Sequence, residues 1–230
     1  MLKSLLFISI PLLFFSCSET IEGDGNLTSE ERKMESFTDL KISGMFNVVL
    51  VQGEPSVLIE TDQNLLEHIT TVVKDEELHI SSGDKYLSTD QMVVTVFYRS
   101  LEKVEISGAC ELISNGSING DELFIEISGA AEADLTLNVT KFRMELSGGS
   151  EIELHGIADE VELDLSGAAE VHAFNLESKR AAIGVSGAGD VEINASEKLA
   201  VDISGAGEVQ YMGDPEIKKD ISGVGEITKK

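Results

Sequence analysis

The sequence predicts an all-β fold, a single-stranded β-solenoid, and three observations predict it. The first is a phrase that returns along the chain. It reads ISGACEL at 106–112, ISGAAEA at 127–133, LSGGSEI at 146–152, LSGAAEV at 165–171, VSGAGDV at 185–191, ISGAGEV at 203–209 and ISGVGEI at 221–227. Its serines, at 107, 128, 147, 166, 186, 204 and 222, step by 21, 19, 19, 20, 18 and 18 residues, giving rungs of ~18–21 residues. A period of that size means stacked supersecondary units rather than one conventional core. The second observation is alternation. Three residues before each serine stand Val104, Ile125, Met144, Leu163, Ile183 and Val201, with Lys219 as the exception, and the residue just before it is always Ile, Leu or Val. Five after it come Leu112, Ala133, Ile152, Val171, Val191, Val209 and Ile227. Apolar residues two apart mark strands. The third is the glycine that follows every serine, with small residues beside it, which reads as a corner between two short strands. About 20 residues leave no room for two helices and their turns. One strand pair of this size cannot bury its own apolar face, so neighbouring copies must stack.

The elements follow in chain order. Residues 1–17 read as a signal peptide: Lys3, then the apolar run LLFISIPLLFF at 5–15, too short to span a membrane. The run ends in -FFSC-, which resembles a bacterial lipobox, with Phe15 where a small residue is usual; Cys17 is then the expected lipidation site. Ser18 after it fits transfer to the outer membrane. Residues 18–35 carry many charges and no apolar period, so they are expected to form a flexible tether, with order beginning near Phe37. KISGMFNVVLVQG at 41–53 is a degenerate first copy of the phrase, with Asn47 where later copies hold an acid. QNLLEHIT at 63–70 has the only helix-like spacing, and 69–98 alternate as strands joined at Gly-Asp and charged pairs. Residues 36–100 thus form an irregular β-rich part that caps the repeats of 101–230, and 36–230 make one continuous domain. NGSINGDE, HGIADE and NASEK, between copies, read as turns or a third short side.

Composition narrows the function. The chain has 42 acidic and 17 basic residues, net −25, which excludes nucleic acid and an anionic membrane surface as partners. Tryptophan is absent, so the core is expected to be aliphatic. With Cys17 lipidated, Cys110 has no disulfide partner, and its small-residue slot predicts a buried, inert thiol.

The recurrent [IL]-S-G-A-[AG]-[ED]-V phrase, the opening FTDLKISGMFNVVLVQG and the TDQNLLEHITTVV that follows resemble the auto-transporter adhesin head GIN domain family of Bacteroidetes-type envelope proteins. The resemblance runs from Met34 to Ile227. It implies a right-handed parallel β-helix and an adhesive role. It brings no catalytic or ligand residues.

Two acidic columns are the candidate chemistry. Four residues after each serine stand Glu111, Glu132, Glu151, Glu170, Asp190, Glu208 and Glu226; two before it stand Glu105, Glu126, Glu145, Asp164, Asp202 and Asp220, broken by Gly184. Copies stacked in register would hold such carboxylates ~4.8 Å apart, where like charges repel by roughly 1 kcal/mol per neighbour in water. Two readings are open. The plainer one is a solvated face screened by salt; the sharper one is a ladder of Ca²⁺ ions bridging Glu111 through Glu226, and apart from that calcium no cofactor is expected. The serines read as structural, since a catalytic serine would not recur in every copy. His68, His79, His155 and His172 stand at different offsets and read as satisfied or exposed rather than as metal ligands.

These readings converge on an exported lipoprotein, anchored by lipid in the outer membrane, on its surface or periplasmic face. Its β-helical head is expected to bind a glycan or a surface protein; the oligomeric state is open. An enzyme is not expected. The alternatives are a carbohydrate-active enzyme of lyase or hydrolase type and a structural envelope protein facing the periplasm. Lys141, Arg143, Lys179 and Arg180, the main bases near the repeats, do not cluster with an irregular set of acids.

Overall fold

The alternation seen in the sequence is realised as strand almost throughout. The computed structural model describes residues 19–230, so the signal peptide expected at 1–17 and the expected lipidation site Cys17 lie outside the described residues. Strands β1 (Glu19–Glu22), β2 (Leu27–Lys33), β3 (Asp39–Gln52) and β4 (Ser56–Asp62) lead to a 3-10 helix at Gln63–His68. Four short strands follow: β5 (Thr70–Lys74), β6 (Glu77–Ser81), β7 (Lys85–Ser88) and β8 (Val93–Tyr98). The repeats give β9 (Lys103–Leu146), β10 (Gly149–Leu165), β11 (Ala168–Val185), β12 (Ala188–Ile203), β13 (Ala206–Met212), β14 (Glu216–Ile221) and β15 (Glu226–Lys229). The fold is all-β with one large sheet.

From β9 onward every pair between strands is parallel and in the register of the repeat. Ile152 faces Ala133 on one side and Val171 on the other; Leu163 faces Met144 and Ile183; Ile183 faces Val201. These inward residues are buried. Each aliphatic side chain so covered contributes roughly 1.5–3 kcal/mol, an upper figure because the unfolded chain is already partly collapsed. The degenerate first copy joins the same stack: β3 pairs with β9 so that Ser43 aligns with Ser107, Gly44 with Gly108 and Asn47 with Glu111.

The corners explain the invariance of Ser-Gly. The Ser166 amide donates to Leu146 O (2.9 Å), and the Ala168 amide donates to Gly148 O (2.8 Å), so the main-chain ladder continues around the bend. The same glycine carbonyls leave no space for a side chain. A Cβ on Gly148 would lie 1.8 Å from Gly129 O, and one on Gly167 2.0 Å from Gly148 O. Stacking, not only backbone freedom, requires glycine there.

Three expectations are corrected. The sheet is mixed rather than parallel throughout, because β2 runs antiparallel to β4, β4 to β8 and β5 to β6. The β5–β6 reversal is a two-residue turn with Asp75 and Glu76 both at positive φ (52° and 63°), geometry that suits an antiparallel hairpin. The stretch 18–35 is not a free tether over its described length: β1 pairs with β7 and β2 with β4. Main-chain pairing needs no apolar period, and Arg32 adds side-chain bonds, donating to Ile69 O (2.6 Å), Thr71 Oγ1 (3.1 Å) and Leu66 O (3.1 Å). Finally, of the two readings of NGSINGDE, HGIADE and NASEK, turns or a third short side, the turns give way: all three lie inside strands β9, β10 and β12. Single glycines there, Gly116 (φ 95°) and Gly156 (φ 100°), bend the extended chain without ending it.

Candidate functional site: an acidic groove along the repeats

Residues two and four after the serines at 107, 128, 147, 166 and 186 line a continuous open groove of about 980 Å³. Ala109, Ala130, Gly149, Ala168 and Ala188 form its low shoulder, and Glu111, Glu132, Glu151, Glu170 and Asp190 its acidic wall. Register sets the wall: Glu151 pairs with Glu132 and Glu170, and Glu170 with Asp190. At the N-terminal end Tyr86, Leu87 and the 88–90 segment overhang the groove beside Asn47. No lysine or arginine pairs with these wall acids among the described residues; the nearest ion-pair partner is His172, 3.9 Å from Glu170. Nor do three of the wall carboxylates converge on one point, so the described column holds no preformed three-ligand calcium site. The remaining members of the column, Glu208 and Glu226, continue the wall as register partners; Glu208 accepts from Gln210 Nε2 (3.0 Å).

The second column differs because cations interrupt it. Glu105 accepts from Lys103 and from Lys41 (2.6 Å), and these two ammonium groups, Lys103 first, hold its carboxyl below the usual range. Arg143 reaches Glu145 (2.6 Å) and Asp164 (3.8 Å). Asp164 leans over the gap at Gly184, where a Cβ would lie 2.6 Å from its Oδ1. Burial, then the neighbouring Glu162, pushes the Asp164 carboxyl above its ordinary value despite Arg143.

The serines act on the main chain. Ser166 Oγ donates to Leu146 O (3.2 Å) and Ser128 Oγ to Ile106 O (3.4 Å), while Ser43 and Ser107 share a bond of 2.9 Å. Cys110 is buried, and desolvation pushes its thiol up to about 12, so it stays protonated and inert at neutral pH. Lys179 pairs with Asp159 (2.9 Å), Arg180 with Glu160 (2.5 Å) and Lys141 with Glu122 (3.7 Å) across neighbouring repeats. Lys141, Arg143, Lys179 and Arg180 are thus each engaged in a surface ion pair. His68 lies 3.2 Å from Lys85 Nζ, and His79 lies 2.5 Å from Glu77.

Two features escaped the sequence reading. The overhang at 86–90 belongs to a segment without the repeat, held by the β1–β7 pairing and by Thr89 Oγ1 donating to Asp62 Oδ2 (2.6 Å). His155, at an offset no other histidine shares, stands between Asp134 and Glu153. The signal that could have found it is the pair of acids six residues after Ser128 and Ser147.

The model of the family described as "Putative auto-transporter adhesin, head GIN domain" matches residues 36–215. The chain belongs to this family. No curated protein matches it. Crystal structures of other proteins share the fold, among them the following three. A "putative adhesin" from Bacteroides fragilis is 24% identical, with a TM-score of 0.88, over 91% of this chain and all of that one. A "putative lipid binding protein" from Parabacteroides distasonis is 21% identical (TM-score 0.76), over 92% of this chain and all of that one. A "putative adhesin" from Parabacteroides merdae is 20% identical (TM-score 0.65), over 92% of this chain and 99% of that one. Membership in an adhesin-like family accords with an exported or surface protein.

Proposed function

We propose that this protein is a surface binding module: a lipoprotein anchored through Cys17 in the outer membrane, whose repeats wind as a right-handed β-helix and present the acidic groove to a partner. One observation carries the reading. A row of regularly spaced carboxylates, without lysine or arginine partners among the described residues, runs along an open groove with a small-residue shoulder. Such a row suits an extended partner with repeated cationic or hydroxyl groups, a basic protein segment or a neutral glycan. It repels sulfated or uronic polymers, whose charge has the same sign. The parallel pairing of successive copies supports the helical winding, and it keeps the spacing of the row constant.

An array of matrix proteins and of neutral, basic and acidic glycans tests the reading, probed with the wild-type protein and with Glu132→Gln/Glu151→Gln/Glu170→Gln. Wild-type binding to basic or neutral spots, weakened at least tenfold in the triple variant, supports it. Binding confined to acidic polymers, or unchanged by the triple substitution, overturns it.

A further inference from the structure

One cluster outside the groove wall combines residues suited to metal chemistry. Asp134 on β9 and Glu153 on β10 are direct register partners. His155, two residues beyond Glu153, turns its Nε2 toward both: it stands 3.3 Å from Asp134 Oδ1 and 3.6 Å from Glu153 Oε2. One donor atom from each of the three lies within 4.8 Å of the others. Neither carboxylate has another ion-pair partner among the described residues.

The separations bear on what this trio does. A charge-assisted hydrogen bond would draw nitrogen and oxygen to about 2.7–2.9 Å. Ligands bound about 2.0–2.2 Å from a tetrahedral zinc ion stand about 3.4 Å from each other. The contacts to His155 fall on either side of that second distance. Ligand type points the same way. Calcium and magnesium favour all-oxygen shells, whereas an imidazole nitrogen with two carboxylate oxygens suits a borderline cation such as zinc. All three side chains are at least partly exposed, leaving room for water in the remaining position.

The local backbone aims the histidine. The register of β10 with β9 runs unbroken through Glu153, Leu154, His155 and Gly156, so Glu153 and His155 emerge on one face before the chain bends at Gly156 (φ 100°). A Cβ on Gly156 would lie 2.1 Å from Leu137 O, so this bend is tied to the neighbouring repeat.

We propose that Asp134, Glu153 and His155 form a site for a divalent transition-metal ion of the zinc class, with water completing the shell. Asp134 and Glu153 lie two residues beyond Glu132 and Glu151 along the same strands. It differs from a calcium ladder in requiring a histidine. The proposal stands independently of any partner in the groove.

The test is calorimetric titration of zinc chloride into the chelator-stripped full chain, repeated with His155→Ala, His155→Asn and His172→Ala. His172 is the control, because its contacts are to Glu192 (3.2 Å) and Glu170 (3.9 Å). One equivalent of zinc should bind, at least tenfold more weakly in both His155 variants and unchanged in His172→Ala. Cobalt should bind with the absorption of a tetrahedral centre, and excess calcium should not displace zinc. No binding, equal loss in the His172 variant, or several weak equivalents indifferent to His155 would each overturn the assignment.

Discussion

The two halves of the molecule solve the same packing problem by different means. In β9–β15, like stacks on like: Leu163 lies between Met144 and Ile183, and each corner glycine sits against the carbonyl of the previous one. In the stretch before β9, strands reverse, the core takes large side chains such as Phe37, Phe46 and Tyr98, and specific polar bonds hold the outer strands. Arg32 is the clearest example, with three bonds into the 3-10 helix region and β5. A repeat therefore concentrates its steric demands at one recurring point, whereas the irregular half spreads them over unique contacts. The repeat also multiplies whatever is on its outer face, which is how a wall of like charges arises.

The largest expected effect lies at the corner. Gly148→Ala should destabilise by about 3 kcal/mol or more, because its Cβ meets Gly129 O at 1.8 Å and the backbone must move. Gly149→Ala, one residue on, has nothing closer than 3.7 Å and replaces glycine by the residue its register partners Ala130 and Ala168 already carry. It should change stability by less than about 1 kcal/mol. Urea denaturation of the two variants checks the pair, and equal losses would break the stacking argument. In the other half, Arg32→Met should cost about 1–3 kcal/mol by leaving acceptors unpaired. Hydrogen exchange should localise that loss to β2, the 3-10 helix and β5, leaving β10–β12 protected.

A smaller gain is expected inside the repeat. Ser150 occupies a slot held by Ala131 and Ala169 in the adjoining copies, and its buried Oγ has no partner. Ser150→Ala should stabilise by about 1 kcal/mol, read as a rise in Tm. The pH test is Asp164→Asn. The Asp164 carboxyl is raised in the folded state, so its contribution to stability is fully present below its unfolded value and is lost as pH rises through the folded one. The variant should therefore be more stable than wild type at neutral pH, and that advantage should vanish on acidification below about pH 4. An advantage that persists in acid would show that charge is not its cause.

The division between the halves also marks what was legible in the sequence. A strict period exposes the register, so the acidic column and the Ser-Gly corner could be read from spacing alone. The order of β1 and β2 could not, because their pairing is made by main chain and by Arg32, neither of which leaves a hydropathy pattern. The antiparallel returns likewise depend on the turn at Asp75–Glu76. The trio at Asp134, Glu153 and His155 was hidden for a related reason: its histidine departs from the period that made the acidic column visible.

The claim on which the functional account rests is that this groove faces outward from the cell. Protease treatment of intact cells, followed with an antibody to this protein and to a periplasmic control, tests it most directly. The account predicts digestion of this protein while the control survives. Protection until the cells are lysed would contradict it and would assign the acidic face to a partner within the envelope.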